Sequence, residues 1–127
     1  MIFVVDDDRE DRQMLHEYFD DIGLGARVKE FENGEQAIAF LEKMCGGSTL
    51  PSLIVLDLNM PILNGSQALR LLKRDARFKH IPVIILSTSE NDEEKRKCLS
   101  YGAVDYLVKP MTFDEGRSIV ERFASYL

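Results

Sequence analysis

The segment Leu53-Ile54-Val55-Leu56-Asp57 is a run of four apolar residues that ends on a carboxylate. A short apolar run with no polar residue to face solvent is typical of a strand that is buried on both faces. Parallel sheets contain such strands at their centre, because helices cover them on either side. The segment therefore predicts a central strand of a parallel sheet, with Asp57 at its carboxyl end.

Three other apolar runs also end on side chains that carry a charge or a hydroxyl group. They are Ile2–Val5 before Asp6 and Asp7, Val83–Leu86 before Ser87, and Val104–Val108 before Lys109. The carboxyl ends of parallel strands lie at one edge of their sheet. If the four runs are neighbouring strands, these side chains converge on one crevice although they lie far apart in the sequence.

Strand-like runs alternate with helical patterns along the chain. A weaker alternation of apolar and polar residues predicts a further strand at Ala26–Phe31. The sequence also predicts a loop at Cys45–Thr49. Asp8 or a neighbouring acid is expected to cap the first helix. The helix expected at 90–100 is unusually polar, so we expect it to be held loosely. The last helix is expected to turn five apolar side chains inward, namely Phe113, Ile119, Val120, Phe123 and Leu127. This alternation predicts an α/β protein whose parallel sheet is covered on both faces.

Length, charge and hydropathy limit the class of protein. The chain has 127 residues, which is one domain's worth, and a net charge of −6. Direct binding to nucleic acid is not expected, because this charge would repel the phosphate backbone. No apolar stretch approaches the roughly 20 residues that span a bilayer, and the N-terminus lacks a signal-peptide pattern. We expect a single cytoplasmic domain over residues 1–127 that does not insert into a membrane.

Asp6, Asp7 and Asp57 would bring three carboxylates together at the sheet edge. Two full charges about 4 Å apart repel by about 4 kcal/mol even at an effective dielectric constant of about 20. Either protons are taken up, with raised pKa values, or a divalent cation binds. Oxygen ligands that stay partly open to solvent suit Mg²⁺, which commonly bridges carboxylates to phosphate. With Lys109 and Ser87 nearby, the cluster meets the needs of phosphoryl transfer to a carboxylate nucleophile.

Four segments together resemble the response-regulator receiver domain, the phosphoacceptor module of two-component signalling. They are Phe3–Asp8, Ile54–Pro61 with Gly65, Pro82–Ser87 and Tyr106–Pro110. Each segment alone is a weak signal, but all four occur in order at matching spacing, and the match covers essentially the whole chain. The resemblance implies a (βα)5, flavodoxin-like, doubly wound parallel five-stranded sheet with the strand order 2-1-3-4-5.

The resemblance also implies a role for each matching acid and for the lysine. Asp57 matches the aspartate that is phosphorylated. Asp6 and Asp7 match the acidic pair that holds Mg²⁺ or Mn²⁺, Asp7 directly and Asp6 through water. The backbone carbonyl of Asn59 would be a further metal ligand, and Lys109 matches the lysine that senses the phosphoryl charge.

Three further matches concern the response to phosphorylation. Ser87 matches the hydroxyl residue that turns toward the phosphoryl group, although Thr88 could serve instead. Tyr106 matches an aromatic switch position, with ordinary packing in an edge strand as the alternative. Pro110 matches a proline that the family uses with a cis peptide bond. Phosphorylation would then change the surface formed by the fourth helix, the fifth strand and the fifth helix.

The partners that the resemblance implies are proteins. A sensor histidine kinase or a histidine phosphotransfer protein would donate the phosphoryl group, and an unidentified downstream protein would respond. The sequences of the motifs are most similar to those of stand-alone receivers that include partners of phytochrome-like kinases. The resemblance leaves open whether phosphorylation makes the protein dimerise. The protein would be a regulator rather than an enzyme, with only self-catalysed phosphotransfer and slow autodephosphorylation.

Two alternatives remain at this point. A phosphatase of the haloacid-dehalogenase kind also combines an Asp nucleophile with Mg²⁺ on a parallel sheet. Such enzymes need a second acid two residues after the nucleophile, where this chain has Asn59. The other alternative is a receiver-like binding module that works independently of phosphorylation, although every chemical position of the family pattern is filled here.

Overall fold

The computed structural model describes residues 1–44 and 50–127, so the loop expected at Cys45–Thr49 lies outside the described residues. Within these ranges, strands and α-helices alternate. The strands are β1 (Ile2–Val5), β2 (Val28–Phe31), β3 (Leu53–Leu56), β4 (Val83–Ser87) and β5 (Asp105–Val108). The helices are α1 (Arg9–Asp21), α2 (Gly34–Met44), α3 (Gly65–Arg74), α4 (Asp92–Ser100) and α5 (Phe113–Ala124).

The strands form one sheet in the order β2-β1-β3-β4-β5. Every neighbouring pair is parallel. The strand β3 lies at the centre and its four residues are buried, as the apolar run at this position predicted. The predicted strand order and the parallel sheet are therefore confirmed.

Apolar side chains cover the sheet on both faces. In β1, Phe3 and Val5 belong to a cluster with α2, α3 and α4, whereas Ile2 and Val4 belong to a cluster with α1 and α5. Successive side chains of a strand point to opposite faces, so a fully apolar strand supplies both clusters. The two-layer burial explains why β1, β3 and β4 contain so few polar residues.

Some predicted element ends and helix faces were wrong. Phe113 and Leu127 are 58% and 38% exposed, although both were expected to face inward with Val120 and Phe123, which are buried. Phe113 is the first residue of α5, and a periodic pattern gives the direction of a side chain but not the place where the sheet beneath it ends. The second strand begins later than predicted because Gly25–Arg27 form a 3₁₀ turn.

The helix α4 is polar and contributes little to the core. Among its residues, only Cys98 is buried. Its first turn carries three acids, and the Asn91 side chain caps the backbone N–H groups there. This composition agrees with the sparse apolar packing that the sequence predicted. Over residues 1–44 and 50–127, no helix is long and apolar enough to cross a membrane.

Candidate functional site

Backbone hydrogen bonds extend the sheet beyond β1 and β3 and bring Asp6 beside Asp57. The Asp57 N–H donates to the Val5 carbonyl at 3.0 Å, and the Asp6 N–H donates to the Phe31 carbonyl at 3.1 Å. Asp6 and Asp57 are both buried. The parallel register thus places two acids, distant in sequence, in one pocket at the carboxyl edge of the sheet.

The three predicted acids lie together at this edge. One carboxylate oxygen from each of Asp6, Asp7 and Asp57 lies within 4.8 Å of the others. Asp7 is exposed while the other two are buried, so the cluster is open to solvent on one side. The Asp8 backbone N–H donates to the Asp6 carboxylate at 2.9 Å and helps to fix its orientation. Oxygen donors with one open side fit a divalent cation such as Mg²⁺.

Burial is the main reason why the pKa of the Asp57 carboxyl rises to about 6. The neighbouring Asp6 carboxylate raises this pKa further, whereas Lys109 and a hydrogen bond from the Asn59 backbone oppose the rise. The smaller contribution, from Asp6, is the repulsion among acids that the sequence predicted, whereas the larger one, from burial, depends on the fold. A divalent cation would favour the ionised carboxylate, which is the form that acts as a nucleophile.

Lys109 extends from the end of β5 into the acidic cluster. Its backbone N–H donates to the Ser87 carbonyl at 2.8 Å. Its Nζ lies 2.7 Å from an Asp6 carboxylate oxygen and 3.5 Å from one of Asp57. Burial by itself would lower the pKa of Lys109, but the carboxylates of Asp11 and Asp6 outweigh burial and raise it. A charged ammonium group therefore faces Asp57.

Two residues of α1 belong to the site although the sequence analysis assigned them no role. Asp11 places a carboxylate oxygen 2.7 Å from the Lys109 Nζ. Arg12 is buried and donates from Nη1 to the Asp6 backbone carbonyl at 2.6 Å, while its Nε lies 3.4 Å from a Glu30 carboxylate oxygen. The sequence could have indicated these two residues by their position just after Asp6, Asp7 and Asp8. The acids of this helical turn were instead interpreted as helix caps.

Ser87, Ser89 and Tyr106 form a connected set of contacts. Ser87 is fully buried at the end of β4, and its hydroxyl oxygen accepts a hydrogen bond from the Ser89 N–H at 3.2 Å. Thr88, the alternative to Ser87, is exposed. The buried Tyr106 donates its hydroxyl hydrogen to the Ser89 carbonyl at 2.9 Å. These contacts link the sheet edge at β4 to the edge strand β5.

The expected cis bond before Pro110 is wrong for this structure. The described residues contain no cis peptide bond, so the bond between Lys109 and Pro110 is trans. The trans form is the one that such bonds favour, by roughly 0.5–1 kcal/mol. Asn59 has an exposed side chain and a backbone that hydrogen-bonds to the Asp57 carboxylate. Metal binding by its carbonyl stays a prediction.

Comparison with known proteins places this geometry in a family. The sequence model of the response regulator receiver domain family matches residues 2–121 of this chain. A probable methanogenesis regulatory protein, FilR2 of Methanothrix harundinacea, is 31% identical over 127 residues, covering 99% of this chain and 82% of FilR2. The DNA-binding transcriptional regulator NtrC of Salmonella typhimurium is 32% identical over 126 residues, 99% of this chain, but the match covers only 25% of NtrC.

Solved structures of response regulators have the same fold. The phosphorylated cyanobacterial phytochrome response regulator RcpA superposes with a TM-score of 0.85 at 29% identity, covering 98% of this chain and 91% of the RcpA chain. The Mn²⁺-bound form of response regulator Rcp1 superposes with a TM-score of 0.79 at 27% identity, with the same two coverages. These similarities agree with the predicted flavodoxin-like fold.

Proposed function

Because the chain belongs to the response-regulator receiver family of two-component signalling, we propose that Asp57 accepts a phosphoryl group from a phosphohistidine. The observation that carries the proposal is the buried Asp57 carboxylate, which has two further acids beside it and the Lys109 Nζ at 3.5 Å. In phosphoryl transfer the protein mainly positions groups and neutralises charge. This arrangement provides a nucleophile, a cluster suited to a cation and a fixed positive charge.

In the proposed reaction, a carboxylate oxygen of Asp57 attacks the phosphorus of the phosphohistidine. The O–P bond forms as the P–N bond breaks, and the leaving imidazole keeps the electron pair. Asp6, Asp7 and Asp57, with the backbone carbonyl of Asn59, would hold Mg²⁺ or Mn²⁺. When bound, the cation would neutralise charge on the phosphoryl oxygens. Lys109 would neutralise charge on another of these oxygens.

Two structurally similar response regulators support the proposed binding of a divalent metal and the proposed phosphorylation. Rcp1 is a response regulator described in a Mn²⁺-bound form, and RcpA is one described as phosphorylated. A sensor histidine kinase or a histidine phosphotransfer protein would be the donor, and the cytoplasm would be the compartment. Receiver domains are signalling regulators rather than classical enzymes. We accordingly expect only self-catalysed phosphotransfer and slow autodephosphorylation from the domain, taken as residues 1–127.

Chemical labelling tests the proposal. The protein is incubated with Mg²⁺ and a small acyl-phosphate donor, and intact mass is measured before and after treatment with hydroxylamine. We expect one phosphoryl group per chain, lost in hydroxylamine, absent without Mg²⁺ and absent from Asp57→Asn. The matched control is Asp21→Asn, which removes an exposed acid at the end of α1 and should label like the unmodified protein.

The same experiment separates the alternatives. A label that survives Asp57→Asn would contradict the assignment of the phosphoacceptor. No label at all would favour a binding module that works independently of phosphorylation. In a separate assay, sustained turnover of a phosphate ester would favour a phosphatase of the haloacid-dehalogenase kind.

A second part of the proposal concerns the signal. A phosphoryl group on Asp57 would draw the Ser87 hydroxyl toward it, and Ser89 would follow because its N–H is bonded to that hydroxyl. The Ser89 carbonyl accepts the Tyr106 hydroxyl, so the movement would reach β5. Such a local charge change acts on a weakly held element, which here is α4.

The altered surface would include α4, β5 and α5. Three apolar side chains of these elements are already exposed, namely Leu99, Val108 and Phe113. A downstream protein, or a second copy of the chain, would bind there after phosphorylation. Amide hydrogen exchange of α4 with and without the acyl-phosphate donor tests this part. We expect a change in exchange rate in the unmodified protein and none in Asp57→Asn. Identical exchange in both states would contradict it.

A further inference from the structure

Asp11 supplies a fourth carboxylate that the strand ends do not bring to the site. It is the third residue of α1, and its Oδ2 lies 2.7 Å from the Lys109 Nζ. The corresponding distance is also 2.7 Å for Asp6 but 3.5 Å for Asp57. Two carboxylates therefore hold the ammonium group more closely than the proposed phosphoacceptor does.

Local structure fixes the position of Asp11. Its backbone N–H donates to the side chain of the N-cap residue Asp8 at 3.2 Å, so this turn of the helix is anchored. The side chains of Asp11 and Lys109 are 31% and 12% exposed. A cavity of about 30 Å³ adjoins the pair and is otherwise lined mainly by apolar side chains such as Leu86. Solvent therefore screens this pair less than an ion pair at the surface.

We propose, building on the proposed function, that Asp11 is a positioning residue that holds Lys109 on the α1 side of the site and competes for it with an anion on Asp57. An anionic group attached to Asp57 attracts the ammonium group, and the Asp11 carboxylate opposes that displacement. Asp6 would still hold Lys109 if the Asp11 charge were removed, because its own contact is at 2.7 Å. The lysine would then stay in the site but would be freer to approach Asp57.

The proposal predicts opposite effects on cations and anions. The Asp11 carboxylate adds negative charge near the acidic cluster, so its removal should weaken the binding of a divalent cation. The same removal should strengthen the capture of an anion at Asp57, because Lys109 becomes available. A merely structural disturbance of the site would weaken both kinds of binding.

Two titrations of Asp11→Asn test the proposal. Mg²⁺ alone is titrated by calorimetry, and we expect binding about two- to fivefold weaker than in the unmodified protein. Beryllofluoride, a phosphoryl mimic, is titrated at saturating Mg²⁺, where we expect capture about three- to tenfold tighter. Glu10→Gln is the matched control, because it removes one negative charge from an exposed neighbour in the same helical turn. It should change neither affinity by more than about twofold.

A double-mutant cycle tests whether Asp11 acts through Lys109. In a Lys109→Met background, Asp11→Asn should lose most of its gain in beryllofluoride capture. A gain of the same size in both backgrounds would overturn the positioning role, and so would unchanged or weaker capture by Asp11→Asn alone. If the folded, unmodified protein captures no beryllofluoride with Mg²⁺, the proposed function fails and this inference fails with it.

Discussion

The hydroxyl of Tyr106 in β5 donates a hydrogen bond across 2.9 Å to the backbone carbonyl of Ser89, in the loop before α4. Tyr106 is only 4% exposed, so its hydroxyl group would be costly to leave without a partner. The bond joins an edge strand to the segment that leads into the most polar helix. Tyr106 therefore holds this loop against the sheet.

Tyr106→Phe should loosen that loop without disturbing the ring packing. We expect a loss of about 1 kcal/mol in the free energy of unfolding, the usual net value of one hydrogen bond. We also expect faster amide exchange over residues 88–91. Tyr101→Phe is the control, because this ring lies at the end of α4 and contacts Arg70 instead. Unchanged exchange in Tyr106→Phe would mean that the bond does not restrain the loop.

Asp57→Asn should stabilise the metal-free protein at neutral pH. The folded protein raises the pKa of Asp57 from 3.8 to about 6, chiefly by burial and then by repulsion from Asp6. Above about pH 6 the folded state must hold an unfavourable charge. Each pKa unit corresponds to about 1.4 kcal/mol, so the variant should gain roughly 2 to 3 kcal/mol at about pH 7.

The sign of this effect follows from proton binding. Between about pH 6 and about pH 4 the folded state binds a proton that the unfolded state does not, so the unmodified protein recovers stability as the pH falls. Urea unfolding in the presence of a metal chelator at several pH values measures the free energy of unfolding of both proteins. The difference between them should shrink from about pH 7 to about pH 4. A difference that stays constant would show that charge at Asp57 is not its cause.

Ile62→Asn should stabilise the protein. Ile62 lies in the loop between β3 and α3 with a φ of 70°, in the left-handed region, and its side chain is 74% exposed. A β-branched residue is strained there, at a cost of roughly 1 to 2 kcal/mol, whereas asparagine tolerates this conformation. Little apolar burial is lost by the change, so we expect a gain of about 1 kcal/mol in urea unfolding.

Ile62→Val is the control for this loop, because it keeps the β-branch and should leave stability nearly unchanged. Equal stability of the asparagine variant and the unmodified protein would indicate that the loop relaxes to another conformation in solution.

Gly65→Ala should disturb both stability and the site. A Cβ atom at residue 65 would lie 2.1 Å from the Asp57 backbone oxygen, so the start of α3 would have to move away from the end of β3. Such overpacking typically costs 1 to 3 kcal/mol. The free energy of unfolding, measured in urea, and the Mg²⁺ affinity of the acidic cluster should both decrease. Ser66→Ala, one residue further along α3, should change neither, and similar losses in both variants would contradict the explanation.

The positions of the strand-end residues could be predicted because the geometry of a parallel sheet places the carboxyl ends of its strands at one edge. Fully apolar runs indicate strands covered on both faces, and the carboxyl ends of such strands share one edge. Asp6 and Asp57 therefore converge as expected, and Lys109 joins them from the end of the edge strand β5. The strand order followed from the resemblance of four segments to a known family, since the apolar pattern alone does not order the strands.

The contacts made by helices and loops were harder to predict. Phe113 has the right period to face inward, but α5 begins at that residue and leaves it exposed. The left-handed conformation of Ile62 results from the path of its loop, and propensity would disfavour it. Asp11 resembles an ordinary acid in a first helical turn, where acids are common for electrostatic reasons.

By itself, the sequence determined which strands are buried on both faces and which reactive side chains stand at their ends, because side-chain alternation and hydropathy act locally along the chain. Only the tertiary structure decided that Asp11 holds Lys109 as closely as Asp6 does, at 2.7 Å, while Asp57 lies at 3.5 Å. That difference depends on how α1 packs against the sheet and on the path of one lysine side chain. Separations of this size arise from packing between elements, and spacing along the sequence does not encode them.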